Sequence, residues 1–269
     1  MAEKKIKTSF LKKPGMRIGL VVSTLMIIIA CFVLVFWMAK QSLFSGNSHF
    51  MTRHVDVRSS GWWNGKDGEM EKFIGVKAGR TNLFSINLQN VCDSLRKQPS
   101  IDNVTASRIL PDTLLISIVE RIPRAFLYNS NSTLLVDSSG NVMDSRTCVN
   151  LRRNLPVITG FKSDKRPVPG EEMPQLKQSL ELLMIVVKKY PDIKILKITL
   201  STPKEMQMSF MSPTSDIPLN AIFPRTKLDE KLSVLKETLK QRKMSNNPAT
   251  TIDLRFEGQV ILKPPEIEE

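Results

Sequence analysis

The feature that most constrains this chain is an uncharged run from Ile18 to Met38, IGLVVSTLMIIIACFVLVFWM. As a helix, this run rises about 31 Å, which matches a hydrocarbon core about 30 Å thick. A cleaved signal peptide has a shorter apolar core and a small-x-small cleavage site, whereas Ala39 lacks the second small residue. The run therefore predicts an uncleaved anchor that crosses a membrane once.

The charges on either side of this run predict its orientation. The basic residues before it are Lys4, Lys5, Lys7, Lys12, Lys13 and Arg17, and the single acidic residue there is Glu3. Trp37 and Lys40 mark the other membrane interface. By the positive-inside rule, residues 1–17 form a cytoplasmic basic tail and residues 18–38 the transmembrane helix. Everything from residue 39 onward is expected outside the cytoplasm.

The net charge of +13 and the pI near 9.8 do not indicate a nucleic-acid-binding protein. After the basic tail, no basic run is longer than a pair. A nucleic-acid-binding surface concentrates its positive charge in one patch or stripe. We therefore expect no nucleic-acid partner, and weak attraction to anionic lipid or wall polymer is the functional alternative.

Residues suited to metal, redox or acid-base chemistry are few. His49 and His54 have no cysteine or acidic cluster nearby, so no metal site is expected. The motifs GxSxG, HExxH, Walker A and GxGxxG are not found, so neither an enzyme nor a cofactor is expected. Whether Cys92 and Cys148 pair is left open, since pairing requires their Cα atoms within about 7 Å.

Two folded parts follow a polar connector at residues 39–49, and both mix helices with strands. Residues 50–121 show the order strand, helix, helix, strand, strand. The apolar residues that predict the first strand are Val55 and Val57, those of the first helix are Met70, Phe73 and Ile74, and those of the second are Leu88, Val91, Cys92 and Leu95. The first helix is predicted to begin at Asp67 and to end at Gly79.

Residues 122–264 are predicted to form a mixed antiparallel, β-rich domain that also contains helices, which makes the whole chain α+β. The residues 265–269 are expected to be a disordered tail. The predicted elements of this domain are a hairpin at 134–143, a strand at 155–159, a helix at 174–190, strands at 193–200 and 206–210, a helix at 227–242, and a final hairpin of 250–256 and 259–263.

Five short motifs, taken together with the anchor, carry a family resemblance. They are GRTNLFSI at 79–86, RILPDTL at 108–114, ERIPRA at 120–125, LVD at 135–137 followed by Gly140, and IDLRF at 252–256. In order and spacing they resemble the FtsQ/DivIB family of bacterial cell-division proteins. The resemblance runs from the anchor to Lys263.

The resemblance implies a POTRA domain over residues 50–121 and a β domain over 122–264, outside the cytoplasmic membrane at the division septum. It implies a scaffold of the divisome that has no catalytic activity. Its expected partners are FtsB and FtsL, which link it to septal peptidoglycan synthesis by FtsW–FtsI. The partner-binding residues that it implies are Thr251, Ile252, Asp253, Leu254, Arg255, Phe256, Gly258, Gln259, Val260, Ile261 and Leu262.

Several alternatives remain open for these residues. Ile252, Leu254 and Phe256 can instead form one core face, whereas main-chain pairing along Val260–Lys263 is compatible with either role. Glu120 and Arg121 can brace the domain junction or contact a partner, and Arg108 can be a solvated strand residue.

Two other functional classes are also compatible with this compartment. A POTRA-containing secretion or envelope-assembly subunit needs a β-barrel of many amphipathic strands, whereas this sequence predicts two helices after residue 122. A membrane-tethered wall hydrolase needs a carboxylate pair or a metal, and Asp137 and Asp144 flank a predicted turn.

Protease protection tests the predicted topology. Protease added to intact spheroplasts is expected to degrade residues 39–269 and to spare the tail and anchor, because the positive charges hold residues 1–17 inside. Immunoblots with antibodies against each end measure the result, and a cytoplasmic protein that stays intact is the control. Full protection of residues 122–264 contradicts the orientation.

Overall fold

The structure of the chain is a computed structural model that describes residues 14–41, 44, 47–129, 131–148, 154–163, 165–200, 202–213, 215–245 and 247–264. Most of the predicted tail (1–13), four residues of the connector (42, 43, 45 and 46) and the predicted tail 265–269 lie outside the described residues.

A long helix, α1 (Pro14–Lys40), contains the predicted membrane span. Among the described residues, one helical stretch, Val21–Lys40, is long and apolar enough to cross a membrane. Its apolar side chains are exposed, with Phe32 at 75%. An exposed apolar surface of this length is stabilised by lipid and not by water.

A three-stranded sheet follows, with the strand order β1-β3-β2. In chain order, its elements are β1 (His54–Arg58), α2 (Asp67–Ile74), α3 (Leu88–Arg96), β2 (Ile101–Ile109) and β3 (Thr113–Glu120). The predicted order of strand, helix, helix, strand, strand is therefore confirmed. The middle strand β3 buries Leu114, Ile116 and Ile118 at alternate positions, as a strand with one covered face does.

The first of these helices differs from its prediction. α2 ends at Ile74, and Gly75 follows with φ +71°, so the helix ends five residues before the predicted Gly79. Glycine adopts this left-handed conformation without a steric penalty, which makes it a common residue after a helix. Phe73 was predicted on the buried face but is 43% exposed, because a helix of two turns buries only a narrow stripe around Met70.

The other strands form one mixed sheet with the order β12-β11-β10-β9-β8-β7-β4-β5-β6. The pairs β10–β11, β4–β7 and β7–β8 are parallel, and the other neighbours are antiparallel. The elements are β4 (Ala125–Leu127), β5 (Leu134–Val136), β6 (Val142–Asp144), β7 (Val157–Thr159), α4 (Lys177–Lys189), β8 (Lys194–Thr199), β9 (Glu205–Ser212), β10 (Ser215–Pro224), α5 (Leu228–Met244), β11 (Thr251–Asp253) and β12 (Ile261–Lys263).

The core of this sheet is built from strand residues at alternate positions and from the apolar faces of α4 and α5. Met206, Met208 and Phe210 of β9 are completely buried. On α4, Val187 follows the buried Leu183 at helical spacing but is 56% exposed, whereas Val186 is buried. The roll of a helix on a sheet depends on the packing partner, which sequence periodicity alone does not determine.

Two strands were not predicted from the sequence. β4 has only three residues, and β10 contains Pro218 and ends at Pro224. The β9–β10 register shifts between Ser215 and Leu219, where Pro218 lies, and it is regular from there to Pro224. Proline is tolerated in a strand at such an irregularity, since no ladder hydrogen bond is required there.

The described residues divide into two compact units. The first contains the residues up to Asp56, with Gly68–Leu88 and Ser107–Leu115; the second contains Val57–Asp67, Gln89–Ala106 and the residues from Ile116 onward. The boundary between 121 and 122 stays a prediction.

A charge placed in the buried face of α3 tests the first folded part. Leu95 is completely buried, so Leu95→Asp is expected to lower the free energy of unfolding by about 4 kcal/mol or more, because the carboxylate has no partner there. Ser94→Asp adds the same charge to the exposed face of α3 and is expected to cost less than about 1 kcal/mol. Hydrogen exchange over residues 54–120 measures both, and equal protection of the two variants contradicts this packing.

Candidate partner-binding edge

The final hairpin lies at one end of the large sheet. β11 pairs in parallel with β10, and β12 pairs antiparallel with β11 through Thr251–Lys263, Ile252–Leu262 and Asp253–Ile261. In the part of the chain that the structure describes, β12 has no neighbour on its other side. The hairpin therefore presents an open strand edge.

The register determines which backbone groups face this edge. An antiparallel pair either exchanges two hydrogen bonds itself or is flanked by residues that do. For Lys263 and Thr251, the second type would need an N–H at position 264, which Pro264 lacks, so this pair exchanges both hydrogen bonds. Ile261 and Asp253 form the same type of pair. The other type would require the Leu254 N–H to donate to β12, but that group donates to Ile222 O of β10 at 2.9 Å. Pair types alternate along an antiparallel ladder, so the N–H and C=O of Leu262 point away from β11.

The side chains of the hairpin divide between core and surface. Ile252 and Leu254 are almost completely buried, as the core-face alternative expected. Phe256 does not share that face, since it is 45% exposed. Ile261 is 39% exposed, and Leu262 is partly buried against the core of the sheet. The open edge thus carries apolar side chains that water reaches.

The predicted strands of this hairpin are longer than the observed ones. Residues 254–256 and 259–260 were predicted as strand but lie in the connection between β11 and β12. The Lys231 ammonium donates to Phe256 O at 2.7 Å, and Lys227 forms an ion pair with Glu257 at 2.8 Å. Both lysines come from α5 or the residue before it, so the connection follows the helix and leaves the ladder.

A buried carboxylate holds the base of the hairpin. Asp253 is 1% exposed, and Arg255 donates to its two oxygens at 2.9 and 2.7 Å. Arg255 also forms an ion pair with Glu205 of β9. The hydrogen bonds from Arg255 lower the pKa of Asp253, and this outweighs the opposing effect of burial. Sequence spacing could suggest the Asp253–Arg255 pair, but nothing local to the hairpin indicates Glu205.

Arg108, described above as a possible solvated strand residue, has a structural role. Its guanidinium donates to Leu83 O at 2.8 Å and to Ile86 O at 2.7 Å. In the same segment, the Asn82 side chain donates to Phe44 O and to Asn47 O, both at 3.0 Å. These contacts join the motif at 79–86 to the motif at 108–114 and to residues just after α1.

Glu120 and Arg121 both brace the residues around them. The Glu120 carboxylate accepts from the backbone N–H of Trp62 and of Trp63, each at 2.8 Å, and from the hydroxyl of Ser59. Arg121 donates to Asp102 at 3.2 Å and to Asp137 at 2.8 Å. All of these contacts lie within the second compact unit, and the roles at a domain junction or with a partner both stay predictions.

Two sequence-level questions about metals and cysteines can also be addressed. Among the described residues, no group of three or more His, Cys, Asp or Glu side chains is arranged to hold a metal ion. Cys92 is buried and Cys148 partly buried, and both are free thiols, so they do not pair.

Two family models match the chain. The model described as POTRA domain, FtsQ-type matches residues 66–121, and the model described as cell division protein FtsQ/DivIB, C-terminal, matches residues 125–255. The predicted POTRA fold is therefore confirmed. The second match ends at Arg255, so β12 lies beyond it.

Several curated relatives named cell division protein FtsQ are similar to this chain. The protein of Koribacter versatilis is 20% identical over 85% of this chain and 65% of its own length. That of Geotalea daltonii is 25% identical over 82% of this chain and 78% of its own. That of Syntrophotalea carbinolica is 29% identical over 59% of this chain and 52% of its own. The chain thus spans just under two thirds of the Koribacter protein.

Replacement of the buried carboxylate tests the electrostatics of the hairpin. The pKa of Asp253 is lowered in the folded state, so its contribution to stability is present above about pH 4 and is lost as the pH falls through that lowered pKa. Asp253→Asn is expected to lower the free energy of unfolding by about 1–3 kcal/mol at pH 7 and to approach the parent at low pH. Urea unfolding between pH 2.5 and 7 measures this.

Asp216→Asn is the matched control, because it removes the same charge from an exposed position in β10. Parallel pH profiles of the parent and Asp253→Asn contradict the assigned role of the carboxylate.

Proposed function

We propose, because the chain belongs to the FtsQ/DivIB family of bacterial cell-division proteins, that it acts as a membrane-anchored, non-catalytic scaffold of the divisome. The observation that carries this proposal is the open edge of the large sheet at β12. A scaffold needs a surface that recognises a partner, and an unpaired strand edge offers backbone donors and acceptors to a second chain.

The proposed occupant of this edge is a segment of FtsB, which adds a strand beside Val260–Lys263. The outward N–H and C=O of Leu262 would supply the main-chain pairing, and the exposed side chains of Ile261 and Phe256 would contribute apolar contacts. Natural proteins protect open edges with charge or proline, whereas within β12 only Lys263 is charged. FtsL, bound with FtsB, would then connect this chain to FtsW–FtsI and septal peptidoglycan synthesis.

The orientation of α1 supports the compartment in which these partners are met. The basic residues before the helix favour a cytoplasmic N-terminal side, so the two folded parts would lie outside the cytoplasmic membrane at the septum. The apolar span of α1 would then tether the β12 edge to the same membrane as its proposed partners.

A wall-hydrolase function has weaker support from the geometry. Asp137, one of the two carboxylates considered for it, accepts hydrogen bonds from Ser139, Asn141 and Arg121. Burial raises its pKa, but these hydrogen bonds outweigh that effect and lower it. A general acid needs the opposite shift, so the carboxylate suits a structural role in its turn.

Proline substitution at the edge tests the proposed binding mode. Leu262→Pro removes the outward N–H but none of the N–H groups that donate within the β11–β12 ladder. It is therefore expected to weaken FtsB binding by about tenfold or more. Ile261→Pro is expected to lower the melting temperature more, because its N–H bonds to Asp253 inside the ladder. Leu262→Ala, which retains the N–H, is the side-chain control and should bind more tightly than Leu262→Pro.

Affinity for purified FtsB and melting temperature are measured for each variant in the full chain. If Leu262→Pro remains folded and binds FtsB as tightly as the parent, β12 is not the docking edge.

A further inference from the structure

A groove runs along the connection between β3 and β4, away from the β12 edge. Its first part has a volume of about 400 Å³ and reaches the residues before β7. A second part, of about 390 Å³, shares Asn154, Pro156, Leu183 and Val187 with the first and continues to Lys194 at the start of β8. Together they form a continuous groove long enough for several side chains of a bound segment.

The charged side chains in the first part of the groove differ in whether they have partners. Glu120 and Arg121 are both occupied by the contacts described above. Arg124, which also lines the groove, forms no ion pair with any described residue, and its Nε atom is buried without a hydrogen-bond partner among them. Among the described residues of this wall, the Arg124 guanidinium is therefore the charged group without a hydrogen-bond or ion-pair partner.

A buried donor without a partner is unfavourable, since it has lost its water and gained nothing in exchange. The Arg124 backbone N–H donates to Val136 O at 2.8 Å. This hydrogen bond fixes the part of the backbone from which the Arg124 side chain extends. A ligand carboxylate satisfies such a guanidinium better than water does, because it can accept two parallel hydrogen bonds. The unpaired guanidinium thus selects an anionic group.

The groove also has apolar side chains that are open to solvent, beside the polar Ser60 and Asn154 and, in its second part, Lys194. Ile122 is 62% exposed and Val187 is 56% exposed, and both line the first part together with Leu155 and Pro156. An inorganic anion would leave these side chains in water. A peptide that carries a carboxylate beside apolar side chains would cover both the charge and the apolar walls.

We propose that this groove binds a segment of a partner protein in which a Glu or Asp side chain is flanked by apolar residues. The carboxylate pairs with Arg124, and the apolar residues cover Ile122, Pro156 and Val187. This second partner surface goes beyond the proposed function and does not depend on it, because it shares no residue with the β12 edge.

The test uses the full chain in nanodiscs and a displayed library of random dodecapeptides, selected for binding and counter-selected against Arg124→Gln. The probe is then the most enriched peptide as a synthetic, fluorescent molecule, with a copy in which its acidic residue is replaced by the amide. We expect the selected peptides to be enriched in acidic residues beside apolar ones. Arg124→Gln in the chain, and replacement of the peptide's acidic residue by its amide, should each weaken binding about tenfold.

Arg124→Gln in the chain and the amide substitution in the peptide are expected to be non-additive, since each removes the same contact. Arg146→Gln, at an exposed position, is the matched control and should bind the peptide like the parent. Val187→Asp places a carboxylate in the groove at an exposed helix position, so it should also abolish binding while the chain stays folded. Leu262→Pro should leave peptide binding unchanged, which separates this surface from the proposed FtsB edge.

Three results would overturn the proposal. The first is a selection that yields no enrichment of acidic residues, and the second is an enriched peptide that binds Arg124→Gln as tightly as the parent. The third is a peptide that binds Val187→Asp unchanged.

Discussion

The parallel pairing of β11 with β10 is the constraint on which the open edge of the large sheet depends. Thr251, Ile252 and Asp253 lie beside Asn220, Ala221 and Ile222. Two parallel neighbours cannot be joined by a tight turn, so the chain crosses between them through α5, which buries its apolar stripe in the core. The antiparallel return to β12 then needs no second crossover, which leaves β12 at the outside of the sheet.

Elements with a strong local pattern could be predicted from the sequence. α1 follows from an uncharged run of membrane length, and α3 from the spacing of Val91, Cys92 and Leu95. The β10 strand could not be predicted, since Pro218 interrupts its alternation and only the pairing with β9 restores it. The sheet order, with β4 beside β7, depends on packing between residues far apart in the chain.

The same distinction holds for the candidate site. The composition and alternation of the final hairpin were sufficient to place its two strands, but not their ends. Those ends are determined by Lys231 and Glu205, which lie 25 and 50 residues from their partners in the hairpin. Contacts of this separation leave no periodic signal in the sequence, so the turn at Gly258 could be predicted, but the extent of its loop, from 254 to 260, could be found only from the structure.

The β12 edge combines a short ladder with a firm base, and these two properties suit a docking strand. Only three residue pairs join β12 to β11, so few main-chain hydrogen bonds hold it. The adjacent β11 is fixed by Ile252 in the core and by Asp253 against Arg255. A strand added at Leu262 would bring hydrogen bonds on the side where β12 has none. Because a ligand stabilises the state that it binds, such a partner would hold β12 in its ordered position. β11 sets the register of β12, and β12 would in turn set the register of the added strand.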